Sequence, residues 1–322
     1  MSRLTRRQSI AAVAGVLCAA ATGQASAQEL KTIRVVGPPN DGFKCVYYGI
    51  QSGIFKKYGL DVTTTLVNSG AAAAAALVGG SAEVAYTNSL SLFQAHGRDI
   101  PMQYIAGAVL LTGAASPTQT VVLKTSSYHS GRDLTGKTVG SSSIKDVNAA
   151  ATLAWIDSTG GDSKSVKLIE VPASAATAFL EEGRADAITL NEPAVSQVLA
   201  SGKARVLAKP YDAIGKRSQN AGFAVMAPVV QKNAEMMSRF ARAMHEAQVY
   251  TNGHLAQTVD LVASYSGTPA DVVAHSVRMI DPEYVEQRNL QPLIDALAKY
   301  GFISKAFPAE EIISSAALKP RR

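Results

Sequence analysis

Lys137-Thr138-Val139-Gly140-Ser141 restarts an order of elements that first appears at Thr32-Ile33-Arg34-Val35-Val36, and that restart decides the fold. Both runs are short and rich in β-branched residues, and a helix-length segment follows each. From residue 32 the spacing predicts strand 32–36, helix 43–58 ending in Gly59, strand 61–67 and helix 71–78 closed by Gly79-Gly80. Strand 83–87, helix 89–96 closed by Gly97 and strand 102–109 follow. From residue 137 it predicts strand 137–141, helix 145–158 with Gly160-Gly161, strand 166–171 and helix 173–182 with Gly183. Strand 186–190 and helix 192–200 with Gly202 complete this half. Glycine after a helix is the expected left-handed stop, and strand–helix alternation argues for mostly parallel sheets.

The two halves share a register. Val36-Gly37 recurs as Val139-Gly140, Gly80 as Gly183, Glu83 as Asp186 and Asn88 as Asn191, each 103 residues later. A period this long is a duplicated lobe rather than a solenoid repeat; the plain alternative is that any two βαβ units share glycine spacing. After Tyr211 comes the strand-like stretch 223–226, and beyond it helices at 233–252, 254–265, 269–280 and 290–300. Met237, Phe240, Ala241, Met244 and Ala247 form an i, i+3, i+4 stripe that reads as core-facing. If the second half is inserted between two strands, the chain crosses near 115–121 and 220–225, and two extended crossings make a hinge beside a cleft. The expectation is a two-lobed α/β protein, with lobe 1 from 28–115 and 224–322 and lobe 2 from 116–223.

The first 27 residues stand apart from this pattern. Arg3, Arg6 and Arg7 precede an apolar stretch from Ile10 to Ala21, and Ala25-Ser26-Ala27 forms an A-x-A cleavage site. That is the layout of a secretory signal, too short for a membrane anchor. Thr5-Arg6-Arg7-Gln8 also resembles a twin-arginine signal, which leaves the export route open between Sec and Tat. Removing three arginines from 31 basic and 25 acidic side chains leaves a balance of +3, with no basic face interleaved with aromatics, so a nucleic-acid partner is not expected. Of two cysteines only Cys45 survives cleavage, so no disulfide within the chain is possible and the core alone must hold the fold.

Motifs of catalysis fail on context. Gly131-Arg132-Asp133-Leu134-Thr135-Gly136-Lys137-Thr138 satisfies G-x-x-x-x-G-K-[ST], but a phosphate loop follows a strand and opens a helix, and here the order is inverted. Ser142-Ser143-Ile144-Lys145 contains S-x-x-K without its companion motifs. His96, His129, His245, His254 and His275 show no metal-ligand spacing. No metal, cofactor or catalytic residue is therefore expected, and an enzyme is proposed by nothing in the chain.

What remains is a set of turns at the carboxyl ends of the strands, where open α/β sheets bind ligands. They are Pro38-Pro39-Asn40-Asp41-Gly42, Asn68-Ser69-Gly70, Thr87-Asn88-Ser89, Ser141-Ser142-Ser143 and Asn191-Glu192-Pro193. Each has Ser, Asn or Asp where a helix cap sits, so every one reads either as a cap or as a ligand contact. The candidate contacts are Asn40, Asp41, Phe43, Ser69, Gly70, Asn88, Ser89, Ser142, Ser143, Asn191 and Glu192. Nearby charges are mixed, with Lys44 and Lys145 against Asp41, Asp146 and Glu192, which permits a zwitterion or neutral molecule as well as an anion. Phe43, Tyr47 and Tyr86 offer a flat apolar wall, with core packing the alternative for Tyr86.

Gly53-Ile54-Phe55-Lys56-Lys57-Tyr58-Gly59-Leu60-Asp61-Val62 resembles the "GlF-x-x-x-GLdV" signature of the nitrate/sulfonate/taurine solute-binding proteins. Asp133-Leu134-Thr135-Gly136-Lys137-Thr138-Val139 is similar to their "DLkGKkV", Gly183-Arg184-Ala185-Asp186-Ala187 to "GxvDA", and Asn191-Glu192-Pro193 stands where their "xxP" follows. The resemblance implies a type II periplasmic binding fold, here a monomer in the periplasm, that closes on a small polar organic solute or an anion of the sulfonate, taurine or nitrate kind and delivers it to the permease of an ABC importer. By position it puts Ser69, Asn88, Ser143 and Glu192 at the ligand. The family also includes binders of thiamine-pyrimidine precursors, and the fold is shared by a pyrimidine-synthesising enzyme whose cysteine-rich iron motif is absent here. The arginine with which some members clamp an anion is not evident. An enzyme on the same scaffold and a ligand-sensing module for a membrane receptor are the rival expectations.

Overall fold

The computed structural model describes residues 30–112, 116–192 and 194–320; the expected signal segment 1–27 and Pro193 lie outside them. Among the described residues, ten strands make two five-stranded sheets. The first holds β1 (Lys31–Gly37), β2 (Leu60–Leu66), β3 (Val84–Asn88), β4 (Met102–Thr112) and β10 (Arg217–Met226) in the order β2-β1-β3-β10-β4. The second holds β5 (Thr118–Leu123), β6 (Thr138–Ser141), β7 (Lys167–Glu170), β8 (Ala187–Asn191) and β9 (Ala204–Ala208) in the order β7-β6-β8-β5-β9.

The sheets are equivalent strand for strand. β1 lies parallel between β2 and β3, and β6 lies parallel between β7 and β8, because each is joined to its neighbours through a helix. The strand that arrives from the other sheet enters antiparallel: β10 between β3 and β4, β5 between β8 and β9. Both sheets are therefore mixed, with one reversed strand each. Val36 faces Thr65 and Val139 faces Leu168, so the 103-residue offset read from the sequence survives in the pairing.

One repeated pair has a physical cause. Glu83 Oε2 accepts from the Arg34 amide at 2.8 Å while the Glu83 amide donates to the Arg34 carbonyl at 3.0 Å. Asp186 does the same with Thr138, at 2.9 and 2.8 Å, and also accepts from the Tyr128 hydroxyl at 2.7 Å. The carboxylate latches the third strand of each half onto the first. Burial works to raise the Glu83 carboxyl, but the Arg34 side chain and amide outweigh it and hold it below the usual range. Asp186→Ala leaves the Thr138 amide and the Tyr128 hydroxyl without their acceptor. It is expected to cost about 1–3 kcal/mol, read from the urea midpoint, with Asp186→Asn losing less.

Several expectations need correction. Helix 43–58 is two pieces, Lys44–Gln51 and Ile54–Lys57, because Gly53 between them takes a left-handed φ of 77°. Gly97 does not stop its helix in the left-handed region; its φ is −64°, and Asp99 turns the chain instead at φ 59°. β5 and β9 had no strand expectation. β10 starts at Arg217, not 223, so the boundary expected at 223/224 falls inside a strand that pairs with β4 from Thr112–Arg217 to Met102–Met226. Helix 269–280 ends at His275; beyond it the chain is extended, because Leu110 donates to the Ile280 carbonyl at 2.7 Å and draws the segment onto β4.

The core sits mainly on the first sheet and under the carboxyl-terminal helices. Met237, Phe240, Ala241, Met244 and Ala247, the expected stripe of helix Ala234–Gly253, are all buried. Smaller clusters around Val121, Ile188 and Val195, and around Leu134, Val139 and Ile156, cover the two faces of the second sheet. Gly131–Leu134 is a single helical turn that precedes β6, the reverse of a phosphate loop. Among the described residues, no helix is long and apolar enough to cross a membrane.

Candidate functional site

A cavity of about 320 Å³ opens where elements of both sheets meet, within the size range of small-molecule sites. Its walls come from the loop after β1 (Pro39, Asn40, Asp41), from Val109 and Leu111 of β4, and from Pro117 and Thr118 at the start of β5. The end of β8 adds Asn191 and Glu192, β10 adds Asn220, and a last wall runs from Val262 through Thr268, Val273 and Ser276 to Met279. Most of this lining is apolar. Among the described residues that line it, none is Lys, Arg or His.

The floor is a network of charges. Asp41 accepts through Oδ1 from Arg278 Nε at 2.9 Å and from its Nη2, and through Oδ2 from the Met279 amide at 2.6 Å. The guanidinium also donates to Thr258 Oγ1 and the Leu255 carbonyl, both at 2.9 Å. The Arg278 and Asp41 side chains are only 8% and 15% exposed, so the pair is nearly desolvated. Beneath it Lys44 Nζ donates to the Met279 carbonyl at 2.7 Å and lies 3.5 Å from Asp281, with both side chains fully buried. Burial pushes the Asp281 carboxyl up, and Lys44 pulls it partly back. Asp281 Oδ1 in turn accepts from the Val109 amide at 3.3 Å. Val109 has a φ of 53°, an uncommon conformation for a β-branched residue, and it forms part of the cavity wall.

The opposite wall is a relay of neutral groups. Tyr211 donates to Asn148 Oδ1 at 2.9 Å, Asn148 Nδ2 to Asn191 Oδ1 at 3.3 Å, and Thr118 Oγ1 to the same Asn191 oxygen at 2.6 Å. Burial lifts the Tyr211 phenol well above its ordinary value, with Asp146 adding to the rise and the neighbouring Asn220 side chain opposing it. Asn220 Oδ1 is buried at this wall with no hydrogen-bond partner.

Four of the sequence-derived candidates come together here: Asn40, Asp41, Asn191 and Glu192. Asp41 is committed to Arg278, and Asn40 Oδ1 caps the next turn at the Gly42 amide, 3.0 Å away. Glu192 Oε2 accepts from the Ser196 amide at 3.1 Å. The others do not line the cavity. Phe43 is fully buried against Tyr86 and Phe223, with ring centroids 5.8 and 6.2 Å away, so it builds core rather than a binding wall. Tyr47 stacks on Tyr265 at 4.2 Å, and the Tyr265 hydroxyl holds the Asn40 carbonyl at 2.8 Å.

Ser69 and Asn88 cap helices Gly70–Val78 and Ser89–His96, accepting from the amides of Ala72 and Ser91 at 3.1 and 2.8 Å. Gly70 carries no side chain because a Cβ there would stand 2.8 Å from the Asn88 amide. Ser89 is fully buried and donates to the Gln219 carbonyl at 2.8 Å. Ser142 and Ser143 turn to Asp146 and Glu170 at 3.3 and 3.4 Å. Of the mixed charges, Lys44 lies beneath the floor and Asp146 caps helix Val147–Ser158, where burial raises its carboxyl. The residues the sequence did not reveal are Arg278, Asp281 and Asn220. Asp281-Pro282, a turn dipeptide immediately after the stretch 269–280 read as helix, was the available signal for the first two.

The aliphatic sulphonate binding protein SsuA from Escherichia coli has a similar structure, with a TM-score of 0.72 at 18% identity over 91% of this chain and 95% of that one. The periplasmic nitrate-binding protein NrtA from Synechocystis gives 0.67 at 14%, over 89% and 87%. A DSZB mutant in complex with biphenyl-2-sulfinic acid gives 0.65 at 13%, over 89% and 97%. At these identities the likeness shows the periplasmic binding protein fold. No curated protein matches the chain. The family model described as "NMT1/THI5 like" matches residues 40–256, well over half of the 322, and the chain belongs to that family.

Proposed function

We propose that the protein is the periplasmic solute-binding component of an ABC importer, acting as a monomer that traps a small organic molecule in the cavity between its two sheets. The observation that carries this reading is the cavity itself. It is lined from both sheets and from both strands, β5 and β10, that follow the crossings, so moving one sheet against the other opens or shuts it. The proposed lobes are the two sheets with their helices, and the connections that pass from one sheet to the other are the hinge; the stretches near 115–121 and 220–225 expected to cross belong largely to β5 and β10. Export by the segment 1–27 brings the chain to the periplasm.

A thermal-shift screen of the mature chain across sulfonates, nitrate, carboxylates, amino acids, amides, amines and pyrimidines tests the reading. A solute at one hundred times its Kd adds about 2.7 kcal/mol and raises the midpoint by several degrees. Solute recovered unchanged supports a carrier, and conversion of it makes the protein an enzyme. Docking of the loaded protein to a sensor kinase rather than a permease assigns it to signalling. No shift with any class sinks the proposal.

A further inference from the structure

We infer that the solute is an uncharged or positively charged organic molecule bearing an N–H or O–H group, and that Asn220 selects it. This rests on the solute-binding reading above. An anion leaving water needs donors or positive charge in exchange. The cavity offers one carboxylate outside an ion pair, Glu192, beside the Asp41 carboxylate that Arg278 neutralises, and no basic side chain among the described residues that line it. Arg278 supplies no spare charge. Its guanidinium already meets Asp41, Thr258 Oγ1 and the Leu255 carbonyl, and an anion that drew it away would leave the Asp41 carboxylate unpaired at 15% exposure. Lys44 is fully buried on Asp281 and Met279. The shallow groove that continues from the cavity past Glu192, Val272 and Ser276 adds another carboxylate, Asp271, together with His275. Charge therefore disfavours sulfonate, nitrate and carboxylate.

Hydrogen bonding points the same way. The Asn191 carboxamide oxygen is already taken by Thr118 and Asn148, and Asn40 Oδ1 by Gly42. Asn220 Oδ1 alone among these amide oxygens is left buried without a donor. A buried acceptor in that state is costly until something donates to it. A solute N–H or O–H supplies the donor, and a sulfonate or nitrate has none. The apolar span of Val109, Leu111, Val262, Val273 and Met279 takes the hydrocarbon part.

The experiment is calorimetric titration and thermal shift of the mature chain with probes matched in shape: benzamide, benzylamine, benzoate and benzenesulfonate, and the hexyl series of the same four head groups. The amide or amine of at least one series is expected to bind, tighter than its own carboxylate and sulfonate by tenfold or more. Asn220→Leu is expected to weaken the probe that binds by about tenfold, while its unliganded midpoint stays level, because the unpartnered oxygen goes together with the amide's interaction with Tyr211. That contrast separates ligand reading from simple damage to the fold. Tighter binding of a carboxylate or sulfonate, an affinity unmoved in Asn220→Leu, or silence from all eight probes overturns the inference. In the first two cases solute binding stands; it falls only if the wider screen is silent as well.

Discussion

Lys44→Met is expected to destabilise the protein by about 3–5 kcal/mol, because it strands the Asp281 carboxylate in a fully buried position. Two segments distant in sequence meet at this residue: the Asp281 carboxylate accepts from the Val109 amide, and its backbone is tied to Asn252 by bonds of 2.8 and 3.0 Å. The urea midpoint measures the loss. Lys44→Met combined with Asp281→Leu is expected to recover most of it, since an apolar pair of similar volume has no charge to desolvate. Recovery stays incomplete because the Val109 amide, held at a φ of 53°, loses its acceptor. A single variant within about 0.5 kcal/mol of the parent would mean that water reaches Asp281.

The pH dependence of that variant has a definite sign. The Asp281 carboxyl in the folded protein stands above its ordinary 3.8, first because of burial, with Lys44 opposing. An acid whose folded value is raised favours the folded state below pH 3.8, and that contribution is lost as pH rises through the raised value. Removing Lys44 lifts the folded value further and widens the window. The deficit of Lys44→Met relative to the parent is therefore expected to shrink as the pH falls from 7 toward 5.

The sequence made the first-order fold legible because its signals are local. A β-branched run, a helix-length segment and a closing glycine specify each βα unit without reference to anything distant, and Glu83 and Asp186 repeat because each latches strands of its own half. β5 and β10 were harder. They pair only with strands far away in sequence, and the polar run Ser218-Gln219-Asn220 of β10 has no strand alternation to betray it. The site divides in the same way. Ser, Asn and Asp after a strand satisfy a helix cap and a ligand with the same atoms, and at Ser69, Asn88 and Asp146 the cap takes the oxygen. The far wall, from Val262 to Met279, meets Asn40 and Asp41 across more than 220 residues, and no local pattern announces that contact.

Arg278→Ala is expected to be the most damaging change at the cavity itself. The guanidinium joins three segments: the loop after β1 through Asp41, the turn at Leu255–Thr258, and the extended stretch that carries Met279. Without it Asp41 keeps only the Met279 amide, at 2.6 Å, and the nearly desolvated carboxylate costs about 3 kcal/mol, visible as a lower urea midpoint. Arg278→Lys should recover less than half of this, because one ammonium cannot reach Asp41, Thr258 and Leu255 together as a planar fork does. Solute binding should fall too, since Pro39–Asp41 and Val277–Met279 are two walls of the cavity and this residue fastens one to the other. The loss should depend on charge. A neutral probe such as benzamide feels only the loosened walls, whereas benzylamine gains an unneutralised carboxylate, so its affinity should drop less. Equal losses for the two probes would show that Asp41 is screened by water in the variant, and that the Arg278 pair shapes the cavity without setting its charge.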